Sequence, residues 1–282
     1  MSAPLRSMRI FALPLSKNLA KSPTSVPLVF YHVQMPAVAV SQAGSTPLHK
    51  RALNWTANTW NSWGEAKGGW KLKVHTYGEK VIERIEFEEN ALKSVDTALG
   101  PALASLSKIK EINPSDSTEG GVATRIPLFH PTSFSNPQPL DHLKSFLAHR
   151  GPAHRKYFYL WLGAIPFTAP FMVIPIIPNL PFFFCAWRAW SHWRAFRAAD
   201  YLQSLVEHSV VVPTPSPTLD RLYQSDASDT ADSLQSLNPA RIPEFISTYD
   251  LSSTTATELG RAIDQAKLRS EKSANTDSQK DK

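Results

Sequence analysis

A chain of 282 residues carrying 23 prolines against 11 glycines is cut too often for a long regular sheet or a compact α/β layer. Its formal charge of +6 and pI near 9.4 point to an anionic partner, either nucleic acid or anionic lipid. A single cysteine, Cys185, excludes an internal disulfide, and its setting among phenylalanines reads as a buried, inert thiol.

The charge is unevenly spread. No Asp or Glu precedes Glu65, whereas Arg6, Arg9, Lys17, Lys21, Lys50 and Arg51 all do. A Ser-rich, basic, acid-free start is the compositional mark of a mitochondrial presequence. Pro4, Pro14, Pro23 and Pro27 interrupt the amphipathic helix such a signal needs, so the alternative is a basic N-terminus that folds with the rest. MRIFALPLS from Met8 and VPLVFYHVQ from Val26 are apolar runs bounded by turn residues, which predicts a β-hairpin within a basic segment 1–50. Pro14 and Pro27 mark both as edge strands. RIPLFH, Arg125 to His130, predicts a third strand and a small sheet.

Residues 51–141 open with Leu53, Ala57, Trp60, Trp63, Trp70, Val74, Tyr77, Val81 and Ile85 every three or four residues, and Lys67, Lys71, Lys73 and Lys80 between them. That spacing predicts an amphipathic, Trp-rich helix with Gly64, Gly68 and Gly69 as its weak point. Such a helix either lies at a membrane surface, rings at headgroup level, or packs on the rest of the protein. The following stretch begins helical, passes into a polar NPSDSTEGG linker and ends in the third strand.

Residues 142–210 hold the longest uncharged run, 31 residues from Tyr157 to Trp187, fourteen of them Leu, Ile, Val or Phe. These favour membrane insertion by roughly 4 to 8 kcal/mol, and the run exceeds the length expected of one membrane helix. A single straight helix of that length is about 46 Å, against an apolar bilayer core of about 30 Å. Basic residues flank both ends, so the expectation is a helical hairpin in the membrane with both ends on one side; a buried hairpin of core is the alternative. The bend is PIIPNLP, with Pro175 and Pro178 breaking the helix, Asn179 as N-cap of the second arm and Pro181 in its first turn. Expected anchors at the membrane interface are Arg155, Lys156, Tyr157 and Trp161 on one arm. On the other they are Trp187, Arg188, Trp190, His192, Trp193, Arg194 and Arg197. The uncharged run beside them argues against nucleic acid, leaving the lipid bilayer, with anionic lipid at the basic flanks, as the expected partner. Residues 211–282 read as a mostly disordered tail with one short helix, between Leu251 and Leu268.

Three stretches, MRIFALPLS, TWNSWGEAKGGWKLKV and above all TAPFMVIPIIPNLPFFFCAWRAWSHWRAF, resemble the mitochondrial K+-H+ exchange-related family of fungal and other eukaryotic proteins. The likeness covers about Met8 to Leu205, with a weaker match at ELGRAIDQ. It implies the mitochondrial inner membrane and potassium–proton exchange; it supplies no catalytic or ion-binding residues. A likeness beginning at Met8 also counts against cleavage of those residues.

The sequence contains no Gly-rich phosphate loop, CxxC, HExxH or GxSxG. His149 and His154 are five apart, off a common helical face, and no metal site, cofactor or enzymatic activity is expected. The expected fold is mainly α with a small β-sheet (α+β), a membrane helical hairpin and a mostly disordered C-terminal tail. The expected role is that of a subunit, regulator or assembly factor in potassium–proton exchange, as a homo-oligomer or with membrane-protein partners. The alternative is a membrane-anchored scaffold that affects ion balance indirectly.

Overall fold

A computed structural model of the chain describes residues 8–15, 28–36, 48–83, 85–103, 125–134, 138–173, 179–223 and 237–280. These belong to two compact units, residues 37–86 and the remainder.

The smaller unit consists of two helices, α1 (Leu48–Gly64) and α2 (Gly69–Glu83), where sequence spacing predicts one. The break falls where glycine permits it: Gly69 has φ +87°, a conformation that side chains with a Cβ rarely adopt. Trp60 holds the two helices together. Its indole N–H donates to Glu79 Oε1 at 2.8 Å, and its ring lies 5.0 Å from that of His75. No residue of α2 is buried.

The larger unit is built on a four-stranded sheet: β1 (Arg9–Pro14), β2 (Val29–Gln34), β3 (Ile126–His130) and β4 (Val211–Pro215). The order is β2-β1-β3-β4. β1 and β2 form the predicted hairpin, with Arg9 opposite Gln34, and β3 runs parallel to both β1 and β4. The expectation that β1 is an edge strand is therefore corrected. Its parallel register with β3 involves only Ile10 and Phe11, so Pro14 lies beyond that ladder and its missing N–H costs nothing there. β4 was not expected. Its Pro213 and Pro215 read as linker, yet they are tolerated on the outer strand of a sheet.

Strand alternation distributes the apolar side chains to two cores. Ile10, Ala12, Tyr31, Val33, Ile126 and Leu128 share one cluster with residues of α3 (Phe87–Lys93), α4 (Pro139–Ala164) and α5 (Leu180–Glu207). Phe11, Leu13 and Phe30 belong to a second, with Leu219, Leu222, Phe245 of α6 (Ile242–Tyr249), and Leu259 and Ile263 of α7 (Ser253–Lys280). Helices thus cover both faces of a small mixed sheet, against the expectation that proline excludes such layers. The mostly disordered tail is corrected by the same observation, since residues 237–266 supply a full share of the second core.

α4 and α5 pack antiparallel. Trp161 meets Phe184 edge-on at 5.4 Å, the Arg155 guanidinium lies 5.9 Å from the Phe196 ring, and His154 faces His192. Gly151, Ala195, Ala198 and Ala199 are all buried along this pair, and a Cβ at Gly151 would lie 3.6 Å from that of Ala199. Small residues permit this close approach of the two backbones. The hairpin is therefore real, but the membrane hairpin is corrected: among the described residues no helix is long and apolar enough to cross a membrane. The uncharged run is divided between elements. It supplies residues 157–164 to α4 and 180–187 to α5, eight residues or about 12 Å of α-helix in each, against about 30 Å of bilayer core. Between them stands a 3-10 segment, Ile165–Val173, and the remainder of each long helix is polar or packed on the sheet.

Candidate functional site

The short helix α3, FEENALK, buries two adjacent glutamates, Glu88 and Glu89. A buried carboxylate needs a charge partner or several hydrogen-bond donors, and each of these has both. Glu88 Oε2 accepts from Arg150 of α4 at 2.7 Å, and its two oxygens accept from the two amino groups of Arg269 of α7 at 3.1 and 3.2 Å. Glu88 thereby joins α3 to two helices that cover different faces of the sheet.

Glu89 joins α3 to α5. Arg188 grips it with both amino groups, Nη1 to Oε1 at 2.9 Å and Nη2 to Oε2 at 3.3 Å. The Ser191 hydroxyl donates to Oε1 at 2.6 Å, and Lys93 Nζ lies 4.0 Å from the same oxygen. Arg188 Nη2 also stands 2.8 Å from His192 Nε2, and His192 Nδ1 stands 3.0 Å from His154 Nδ1 on α4. Glu89, His154 and His192 are 6%, 5% and 4% exposed, and one donor atom of each lies within 4.8 Å of the others.

The hydrogen bonds assign the protons. A guanidinium only donates, so His192 Nε2 accepts and its proton resides on Nδ1. That proton points to His154 Nδ1, which must accept it and so carries its own proton on Nε2. Burial drives the His192 pKa down to about 4; Glu89 opposes the shift, while Arg188, His154 and Lys93 reinforce it. Burial also pushes the Glu89 carboxyl up, but the Ser191 hydrogen bond, Arg188 and Lys93 outweigh it and hold the group below the usual carboxylate range. The cluster is thus an ionised carboxylate clasped by fixed cations and backed by two neutral imidazoles.

Of the side chains expected to anchor the hairpin at a membrane interface, Arg188 and His192 turn inward to this cluster. Arg155, Lys156, Tyr157, Trp190, Trp193, Arg194 and Arg197 are exposed, Trp161 and Trp187 half-buried. Arg194 donates to the Lys93 carbonyl at 2.6 Å, and the Trp190 and Trp193 rings stack 5.0 Å apart. Asn179 caps α5, accepting from the Phe182 N–H at 3.0 Å, and its amide donates to the Thr168 carbonyl at 3.3 Å; Pro181 lies in the first turn. Pro175 and Pro178 fall outside the described residues. Cys185 is buried.

Sequence reasoning missed Glu89 and His154. Glu89 is 103 positions from His192 and looks like one of three acidic residues in EFEENALK, an ordinary solvated stretch. The only signal for His154 was the hairpin itself. Pairing 154 with 192 sets the midpoint at residue 173, whereas the proline-rich bend suggested a turn several residues later.

The sequence profile of the family described as mitochondrial K+-H+ exchange-related matches residues 9–206, which include β1 to β3, both hairpins and the whole cluster, and stop short of β4. An uncharacterized protein of Schizosaccharomyces pombe is 24% identical over 242 residues, 86% of this chain and 93% of the relative. An uncharacterized protein of Saccharomyces cerevisiae is 32% identical over 83 residues, 29% of this chain and 26% of the relative. No solved structure matches.

Proposed function

The chain belongs to the mitochondrial K+-H+ exchange-related family, and on that premise we propose that it is an accessory, non-conducting component of potassium–proton exchange at the surface of the inner membrane. The observation that carries the reading is the state of Glu89. A carboxylate that exchanges potassium for protons must be open to both ions. This one is ionised, buried and already neutralised by Arg188 and Lys93. The uncharged stretch 157–187 adds no Asp, Glu, His, Lys or Arg.

Attachment to the membrane surface is assigned to the free end of the α4–α5 hairpin. Phe167 is 81% exposed and Phe183 60%, with Tyr159, Leu160 and Leu162 also exposed beside them. Arg155, Lys156, Arg194 and Arg197 stand exposed behind this apolar end, and no acidic residue occurs from His142 to Ala199. Aromatic side chains at headgroup depth with basic residues behind them suit an anionic lipid surface, which the hairpin end enters shallowly without crossing.

The test is potassium-driven swelling of isolated mitochondria lacking the protein. A fast and specific loss of potassium-dependent swelling, restored by the full chain and not by Phe167→Ser/Phe183→Ser, is expected. Normal swelling, with slow loss of several membrane complexes instead, contradicts an exchange role and favours a scaffold.

A further inference from the structure

Two imidazoles and a carboxylate from three different helices converge in a buried space, and that donor set has a chemistry of its own. We propose that Glu89, His154 and His192 form a binding site for a divalent transition-metal ion of the zinc type, with which the Arg188 guanidinium competes. The two Nδ1 atoms are 3.0 Å apart. An ion about 2.0 to 2.1 Å from each subtends an angle of roughly 90°, and an opening of a few tenths of an ångström reaches the tetrahedral value. The Glu89 carboxylate supplies a third donor on α3, and three protein ligands leave a position for water. Ser191, donating to Glu89 at 2.6 Å, fixes the carboxylate in the way that outer-shell partners orient metal ligands. Two nitrogens with one carboxylate select imidazole-preferring ions such as Zn2+ or Co2+. Potassium, calcium and magnesium require more oxygen donors than this site offers.

Arg188 is the competitor for two separate reasons. Its amino groups hold both oxygens of Glu89, so a metal that takes the carboxylate must loosen that grip. It also donates to His192 Nε2. A metal on His192 Nδ1 leaves the ring proton on Nε2, which then no longer accepts from a guanidinium. Metal entry and departure of Arg188 from His192 are therefore one event. Lys93, 4.0 Å from Glu89, weakens metal binding but leaves the histidine donors uncovered.

The experiment is a titration of the full-length protein with Co2+, read by its visible d–d absorption, then displacement by Zn2+. Wild type is expected to bind one ion per chain, and Arg188→Gln roughly tenfold more tightly, a gain of about 1.4 kcal/mol. His154→Asn/His192→Asn abolishes the signal, with folding checked by circular dichroism, and potassium, magnesium and calcium do not compete. If Arg188→Gln does not fold, Arg188→Lys, which keeps a charge for Glu89 but is too short to reach His192 as well, takes its place. Absence of one-to-one binding in both wild type and the folded Arg188 variant overturns the site, as does binding that survives loss of both histidines.

Discussion

A few buried charged side chains tie the helices of the larger unit to one another. Glu89 is buried and Arg188 only 16% exposed, so neither charge is well solvated without the other. Removing one partner from such a pair costs about 3 to 5 kcal/mol, toward the lower end here because Arg188 keeps some water contact. Urea unfolding of Arg188→Met and Glu89→Gln is expected to show losses of that order. The double variant should lose less than the sum by at least about 1 kcal/mol, because the second change removes a charge already orphaned; strictly additive losses contradict the pairing. His32 carries a separate, pH-dependent effect. It stacks on Phe30 with ring centres 6.5 Å apart, and burial lowers its pKa from 6.5 to about 4. The unfolded chain therefore takes up a proton below 6.5 that the folded chain refuses until about 4. Its neutral form contributes full stability above 6.5, and that contribution falls as pH drops through the interval. The His32→Gln variant should lose roughly 2 to 3 kcal/mol less than wild type on acidification across it. Identical pH profiles for the two proteins contradict the assignment.

At the scale of elements, the α4–α5 hairpin depends on how its second arm begins. Asn179 satisfies the Phe182 N–H and reaches back to the Thr168 carbonyl, so one side chain both caps α5 and ties it to the 3-10 segment that ends the first arm. Asn179→Ala is expected to destabilise by about 1 kcal/mol, and Asn179→Asp by less because it retains the cap acceptor. Equal losses in thermal unfolding would show that the cap itself is unimportant. This cap, the three first strands and the existence of the hairpin were legible in residues 8–34, 125–130 and 157–187, where local spacing and turn chemistry decide the outcome. The centrality of β1 was not, because Ile10 pairs with Leu128, 118 positions away, and that parallel pairing leaves no local signal. The membrane reading failed for a related reason. A hydropathy total treats 157–187 as one object, whereas helix boundaries at Ala164 and Leu180 divide it into two short apolar ends.

For the whole molecule, the second core decides what the C-terminal third contributes. Leu219, Leu222, Leu237, Phe245, Leu259 and Ile263 are each nearly fully buried, but they are spaced among Ser, Thr and Asp, so average composition hides them. Ending the chain at residue 236 strips α6 and α7 from Phe11, Leu13 and Phe30 and leaves Glu88 without Arg269. The truncated chain is expected to lose cooperative thermal unfolding; a variant that unfolds like the full chain would show the segment to be dispensable. The candidate site was illegible for the same non-local reason, since α3, α4 and α5 are separated in sequence and meet only in the fold. The proposed accessory role in potassium–proton exchange rests on that meeting, because it is there that Glu89 is closed off by Arg188. Purified full-length protein bound to anionic liposomes, with internal pH followed after a potassium step, tests the role most directly. Proton flux indistinguishable from that of empty vesicles is the predicted result, and robust potassium-dependent flux abolished by Glu89→Gln would contradict it.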